Sequence, residues 1–368
     1  MADEAADKAD AQSAFLQRLP EHLRHEIFDF FTVQTEWGTK VKPGKAGLKL
    51  GDLNVGSYGV VKDVSDNRSL RARGALMRPG QVTANQGYYI VNKTDLWSDN
   101  AAALYEEAIQ RRWAPATDIA WTTIRPLPED IELSICQVCT TLCSISSALG
   151  TAVGKHLQDM SYEFHEIKCF LATECYDHAR HVDAFRKRAL YNGGGLLVPP
   201  SFAYKTMLEE RDWVGATTEI HMVVESFLRT MLEACEFAAP HMAEKTLFGL
   251  AAQDLTRHIT FGMGHIRYLL SVEPHRADEL TNYLLSGERF ILTEYFGDQT
   301  WEALAILLGG GLANYERGCS MVESLKRKMV RDYVTRLETI GLHAYAHPSG
   351  RMRGIRYGLK KLMEDANA

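Results

Sequence analysis

The sequence predicts a mainly α-helical chain built around a bundle of four long helices, with an irregular N-terminal segment and additional C-terminal helices. Three observations predict it. From Asp99 onward, apolar residues recur at helical spacing with few breakers. Four of the resulting runs are long enough to pack side by side. Two of those four carry the same pattern, Asp-x-x-Arg-His followed by an aliphatic residue.

Taken in chain order, residues 1–11 are acidic and Ala-rich and read as a disordered N-terminus. Residues 12–98 read as a short amphipathic helix, over 12–31, followed by an irregular wrapping segment. In that segment WGTKVKPGKAGLKLGDLNVGSYGVVKD and LMRPGQVTANQGYYIVN, rich in Gly, Lys and Val, suggest loops and a few short strands. Residues 99–272 carry the bundle. A helix over 101–113 precedes the breaker IRPLPED, and long helices follow over 129–153, 159–191, 217–237 and 243–270, with the loop NGGGLLVPPS between the second and third. Residues 273–368 read as helices packed on the bundle or forming a partner surface, SMVESLKRKMVRDYVTRLETIG the clearest of them.

Composition narrows the function. A chain of 368 residues with 46% hydrophobic content can bury a full core. The formal charge of −6 is spread over both signs without a basic block, so nucleic acid is not an expected partner. The start MADEAADKADAQSAF lacks the basic and apolar regions of a signal peptide, and no apolar run approaches the ~18–20 residues of a membrane span, so neither secretion nor a membrane is expected. Of seven cysteines, Cys136, Cys139 and Cys143 fall at helical spacing in an apolar stretch, which suits reduced core thiols and a cytoplasmic location.

The repeats are Asp177-His178-Ala179-Arg180-His181-Val182 and Asp254-Leu255-Thr256-Arg257-His258-Ile259, on the second and fourth long helices. They imply a two-fold related helix pair. Together with YEEAIQRRW, LPEDIELSICQVCTTL, YDHARHVDAF, VVESF and QDLTRHITFG, they make the chain over 104–270 resemble the ferritin-like superfamily, in particular the branch of the ribonucleotide reductase small subunit and related diiron oxygenases. In that superfamily two helices each give one Glu and two others a Glu-x-x-His pair, because residues three apart share a helical face and can reach one metal.

Carried over residue by residue, the resemblance is mixed. It implies His181 and His258 as the two family histidines, Glu225 as the third-helix carboxylate, and Asp177 and Asp254 as the aspartates that orient the imidazoles. The Glu of the first Glu-x-x-His pair is replaced by His178 and that of the second by Leu255. The first-helix Glu falls near Ser144 or Ser146, where there is no carboxylate. Two divalent ions beside one Glu would leave positive charge unmatched. The expectation is therefore a single non-haem metal ion, iron first and manganese, zinc or copper also compatible, held by His178, His181, Glu225 and His258. Glu174 and His221, one turn before His178 and Glu225, are substitute ligands.

The reaction implied by resemblance is oxygen-dependent oxidation of a small organic molecule, with His178 and Glu225 at the reacting centre and Leu255 lining a substrate pocket. A redox partner and a homodimer are expected by analogy only. Two other readings stay open: a metal-free scaffold or binding protein in which His178 donates to Glu225, and a cofactor-independent enzyme using His178 or His181 as base. Cys139, Cys143 and Ser146 share a face that a thiolate ligand could use, but they read first as small core packing. Trp113, Trp121, Tyr162 and Tyr176 read first as packing, and Gly309–Gly311 does not follow a strand as a phosphate loop would.

Overall fold

The computed structural model describes residues 17–18, 20–21, 38–77, 81–200, 204–291 and 296–342. The expected disorder over 1–11, most of the helix expected over 12–31 and everything expected beyond 342 lie outside these residues. The chain divides into two compact units, one of Met1–Lys93 with Ser161–His165 and one of Thr94–Met160 with Glu166–Ala368.

In the first unit short 3-10 turns at Leu50–Leu53 and Gly56–Gly59 punctuate an irregular chain. The expected strands reduce, among the described residues, to isolated bridges between Gly44 and Gly47 and between Val64 and Asn92. Frequent glycines and the lack of an apolar alternation leave no face on which a ladder would gain by extending. Arg73 holds the segment instead, donating to Tyr58 O, Glu163 O and Asn54 Oδ1.

The second unit is helical. Helix α1 spans Ala101–Gln110, α2 Glu129–Asp159, α3 His165–Tyr191, α4 Lys205–Glu209 and α5 Trp213–Thr217. A π-helical turn over Thr218–Val224 continues α5 into α6, Glu225–Ala238, and α7 spans Met242–Val272. The C-terminal helices are α8 Ala277–Ile291, α9 Asp298–Gly309 and α10 Tyr315–Thr339.

Helix α2 begins with Glu129, Asp130 and Glu132, whose charges suit the positive end of the helix dipole. It runs to Asp159, further than its apolar pattern suggested. This helix is long and apolar enough to cross a membrane by length and composition, which corrects the expectation from apolar runs, but 72% of its most apolar stretch is buried within the protein. Helix α5 starts at Asp212, whose carboxylate accepts from Val214 N at 3.1 Å. Helix α9 ends at Gly310, which adopts φ 80°, and Gly318 lets α10 cross close, since a Cβ there would sit 1.8 Å from Ala305 O.

Helices α2, α3, the α5–α6 run and α7 form the four-helix bundle, α3 being tied to α2, α7 and the α5–α6 run by buried side-chain bridges, with α9 packed on α2 and α10, and α10 on α6. Its expected architecture is met. One end is clamped by Arg188 of α3, fully buried, which donates to Glu132 of α2 at 2.7 and 2.9 Å and to Glu244 of α7 at 2.6 Å. This ion triad satisfies three charges that burial would otherwise make costly.

Candidate metal centre

The two repeats meet across the bundle. Arg180 Nη2 donates to Asp177 at 2.5 Å on its own helix and to Asp254 on α7 at 2.7 Å. Arg257 reciprocates, pairing with Asp254 on its own helix and with Asp177 on α3 at 3.1 Å. Two carboxylates and two guanidiniums thus close a buried, charge-neutral square, which is how the sequence repeat becomes a two-fold related helix pair.

The histidines cross over as well. His258 Nε2 lies 3.2 Å from Asp177, and His181 Nε2 lies 3.0 Å from Asp254. Each aspartate therefore orients the imidazole of the opposite helix and not the one four residues along its own. Asp254 also accepts from Trp113 Nε1 at 2.9 Å, with the Arg180 guanidinium 4.5 Å over the Trp113 ring.

At the centre of the bundle Glu174, His178, Glu225 and His258 each offer one ligand atom, and these atoms lie within 4.8 Å of one another. All four residues are buried. His258 Nδ1 is 2.9 Å from Glu225 Oε1. His178 Nε2 lies 3.3 Å from the same oxygen and 3.9 Å from Glu174 Oε1, without the alignment of a hydrogen bond. Glu174 Oε2, Glu225 Oε2 and both ring nitrogens of His178 are buried without hydrogen-bond partners.

The cluster differs from the expected ligand set in one member. His181 lies outside it, with its Nε2 on Asp254, while Glu174 stands in. The reason is axial position. Glu174, His178 and His181 share one face of α3, but His181 sits almost one turn further along, level with Asp254 and Trp113, and its ring centre is 5.8 Å from that of His178. The other substitute, His221, is held away from the centre: Nε2 lies 3.0 Å from Glu174 Oε1 and Nδ1 2.7 Å from Thr217 Oγ1.

Glycines set the close approaches. Gly150 of α2 faces His178, where a Cβ would lie 3.1 Å from the His178 Cβ, and a Cβ on Gly262 of α7 would lie 2.4 Å from the Cβ of His221. These two glycines and Thr217 escaped the sequence reading. For Thr217 a signal existed in its spacing, one turn before His221.

Electrostatics divide the histidines. Burial opposes a charge on His258, yet the Glu225 and Glu174 carboxylates outweigh it and hold its pKa well above the usual imidazole value. His178 is also raised, burial again being overcome, here by Glu174 and Glu225. For Glu174 and Glu225 the neighbouring imidazoles overcome the effect of burial and hold both carboxyls below their ordinary range. His181 is pushed down, because burial outweighs its bond to Asp254, so it stands as a neutral ring donating Nε2–H.

No thiolate joins the site. Burial pushes Cys143 up to about 12 and Cys139 well above the ordinary thiol value, and Cys143 Sγ donates to Val182 O at 3.7 Å. All seven cysteines are free.

The donor set fits one divalent cation. Two carboxylates match its charge, two imidazoles complete four ligands, and such an ion would satisfy unpartnered carboxylate oxygens and one ring nitrogen of His178. On His258, Nδ1 faces the centre while Nε2 is anchored by Asp177, the division of labour of a ligating histidine. Leu255 is fully buried and brings no donor.

No family model and no curated protein matches the chain. Among solved structures it is similar to a mutant R2-like ligand-binding oxidase with aerobically reconstituted Mn/Fe cofactor, at 15% identity over 73% of this chain and 92% of that one, TM-score 0.43. It is also similar to the R2-like ligand-binding oxidase from Sulfolobus acidocaldarius, at 18% identity over 61% of this chain and 93% of that one, TM-score 0.44. At such distances the chemistry of the bundle is read from its own side chains.

Proposed function

We propose that the chain is an oxidoreductase that holds one non-haem divalent metal ion through Glu174, His178, Glu225 and His258, and that it oxidises a small organic molecule with dioxygen. The observation that carries the metal reading is the convergence of four buried ligand atoms within 4.8 Å, four of whose neighbouring polar atoms have no other partner. A buried polar group left unsatisfied costs about 1–3 kcal/mol, more when charged, so an occupant that satisfied several of them around one centre would be favoured. When bound, the ion would supply a redox-active or Lewis-acidic centre with room for a further ligand.

The surrounding residues have definite parts. Asp177 fixes the tautomer and plane of His258 from outside the centre. Glu225 and Glu174 bring two negative charges into a water-poor interior, which favours a doubly charged cation over a singly charged one. Two imidazoles and two carboxylates suit iron, manganese, zinc or copper, and of these zinc is redox-inert, so the oxidase reading falls first on iron. That the reaction consumes oxygen and acts on a small organic molecule rests on the likeness of 104–270 to diiron oxygenases. A redox partner and a homodimer belong to the same proposal.

A second reading has an observation of its own. With His178 and His258 shifted towards the charged form and Glu174 and Glu225 towards the ionised form, the cluster can neutralise itself as two buried ion pairs. The bundle would then be a metal-free scaffold or binding protein. Elemental analysis of protein from metal-supplemented cultures separates the two. About one ion per chain, lost in His258→Ala, is expected. Two ions per chain would contradict the ligand count, and none would favour the scaffold. Oxygen uptake by iron-loaded protein in the presence of a reductant tests the oxidase half.

A further inference from the structure

We infer that His221 is a positioning residue for Glu174, and that the hydrogen-bonded chain Thr217–His221–Glu174 is what makes Glu174 a metal ligand. The inference rests on the metal reading above and adds to it the device that supplies the site's second carboxylate. Position 178, where the resemblance places a Glu, is His, and the carboxylate that reaches the centre comes from one turn earlier on α3. A Glu displaced by a turn needs something to aim it.

His221 provides the aim. Its Nε2 lies 3.0 Å from Glu174 Oε1, the oxygen that also faces His178 Nε2 at 3.9 Å, so the imidazole fixes where that oxygen stands, while Oε2 is fully buried and without a partner. Its Nδ1 lies 2.7 Å from Thr217 Oγ1. With the threonine hydroxyl donating to Nδ1, the ring is the Nε2–H tautomer and donates to Glu174. Both nitrogens are then used, so His221 holds the ligand without being one.

The backbone around His221 is shaped for this. In the π turn, Glu225 N–H bonds to Ile220 O, five residues back, and the His221 carbonyl that an α-helix would pair with Glu225 accepts instead from Ser226 Oγ at 3.3 Å. Opposite, α7 carries Gly262 where a Cβ would lie 2.4 Å from the His221 Cβ. The rings of Trp213 and Phe261 pack edge-on against the imidazole, 6.2 and 5.6 Å between centres.

The test uses Co(II) titrated into the metal-free full-length protein, read by competition with a chromophoric chelator and by the visible absorption of the bound ion. His221→Leu should weaken Co(II) binding roughly 10–100-fold and alter the absorption, as losses of outer hydrogen-bond partners do elsewhere. His221→Gln, whose amide can still donate to Glu174, should recover most of both. Thr217→Val, which removes only the outer hydroxyl, should weaken binding by less than His221→Leu and keeps the question answerable if His221→Leu fails to fold. Unchanged affinity and absorption in His221→Leu, or in Thr217→Val if that is the variant measured, would overturn the inference. Equal loss in His221→Leu and His221→Gln would make the imidazole itself a ligand and overturn it too. Failure of the unaltered protein to take up Co(II) would instead sink the metal reading, and this inference with it.

Discussion

At the scale of single residues, the crossed pairing of the two repeats makes a sharp distinction between two aspartates of the same motif. Asp177 reaches His258, a member of the centre, whereas Asp254 reaches His181 and Trp113, which lie outside it. Asp177→Asn should therefore weaken metal binding roughly 10–100-fold, and Asp254→Asn should change it only a few-fold. Both should lower stability, because each leaves a guanidinium of the buried square short of a charge, at a cost of about 3–5 kcal/mol. Metal titration and urea unfolding of the two variants check this, and equal effects on affinity would contradict the pairing. Here the sequence shows why it was only partly legible. The motif marks which residues recur, but nothing in a four-residue spacing says whether an aspartate serves its own helix or the facing one. Likewise Glu174, His178 and His181 all share a face of α3, and which two reach the centre depends on height along the bundle, a property of how α3 and α7 are set against each other.

At the scale of elements, the most consequential feature is the π turn of Thr218–Val224, which hydropathy alone could not reveal because the whole turn is buried, its polar Thr218, Glu219 and His221 included. The long helices themselves were legible: their apolar periodicity marked four runs, and their ends moved by only a few residues. A π turn accommodates one extra residue in a helix, so deleting Met222 should restore regular α-helix and bring Glu225 from four to three residues beyond His221, out of its present register with that ring. Expected is a protein with unchanged helix content by far-UV circular dichroism that no longer binds metal. Retained binding would show that the π turn does not set the register of Glu225. A milder probe is Gly262→Ala, whose methyl has to displace His221. Overpacking of this kind costs about 1–3 kcal/mol, so the melting temperature should fall and metal affinity with it, while Gly249→Ala, on the same helix facing the Glu236 side chain, should leave affinity unchanged.

At the scale of the whole molecule, five buried histidines, His156, His178, His181, His258 and His265, fall into two groups that give stability opposite slopes with pH. His156 and His265, with His181, are pushed down chiefly by burial, the first two to about 4. In the unfolded chain an imidazole titrates near 6.5, so above that pH these rings are neutral in both states and contribute nothing. As pH falls from about 6.5 towards 4, the unfolded state takes up protons that the folded state refuses. Stability drops by up to about 3 kcal/mol for each of His156 and His265. His178 and His258 behave the other way: raised by the Glu174 and Glu225 carboxylates, they contribute fully below 6.5, and that contribution is lost as pH rises through their elevated folded values. The lowered carboxyls of Glu174, Glu225 and Asp254 stay ionised in both states until pH falls below about 4.5, so they leave this window flat. The metal-free protein should thus be most stable near pH 6–7, with the urea midpoint falling on both sides. A saturating divalent ion that takes the place of the protons on His178 and His258 should bind more tightly as pH rises and remove the alkaline decline while leaving the acid one. Urea midpoints from pH 5 to 9, with and without Mn(II), measure both arms. An alkaline decline that persists undiminished at saturating Mn(II) would mean that the ion is not held by those two imidazoles.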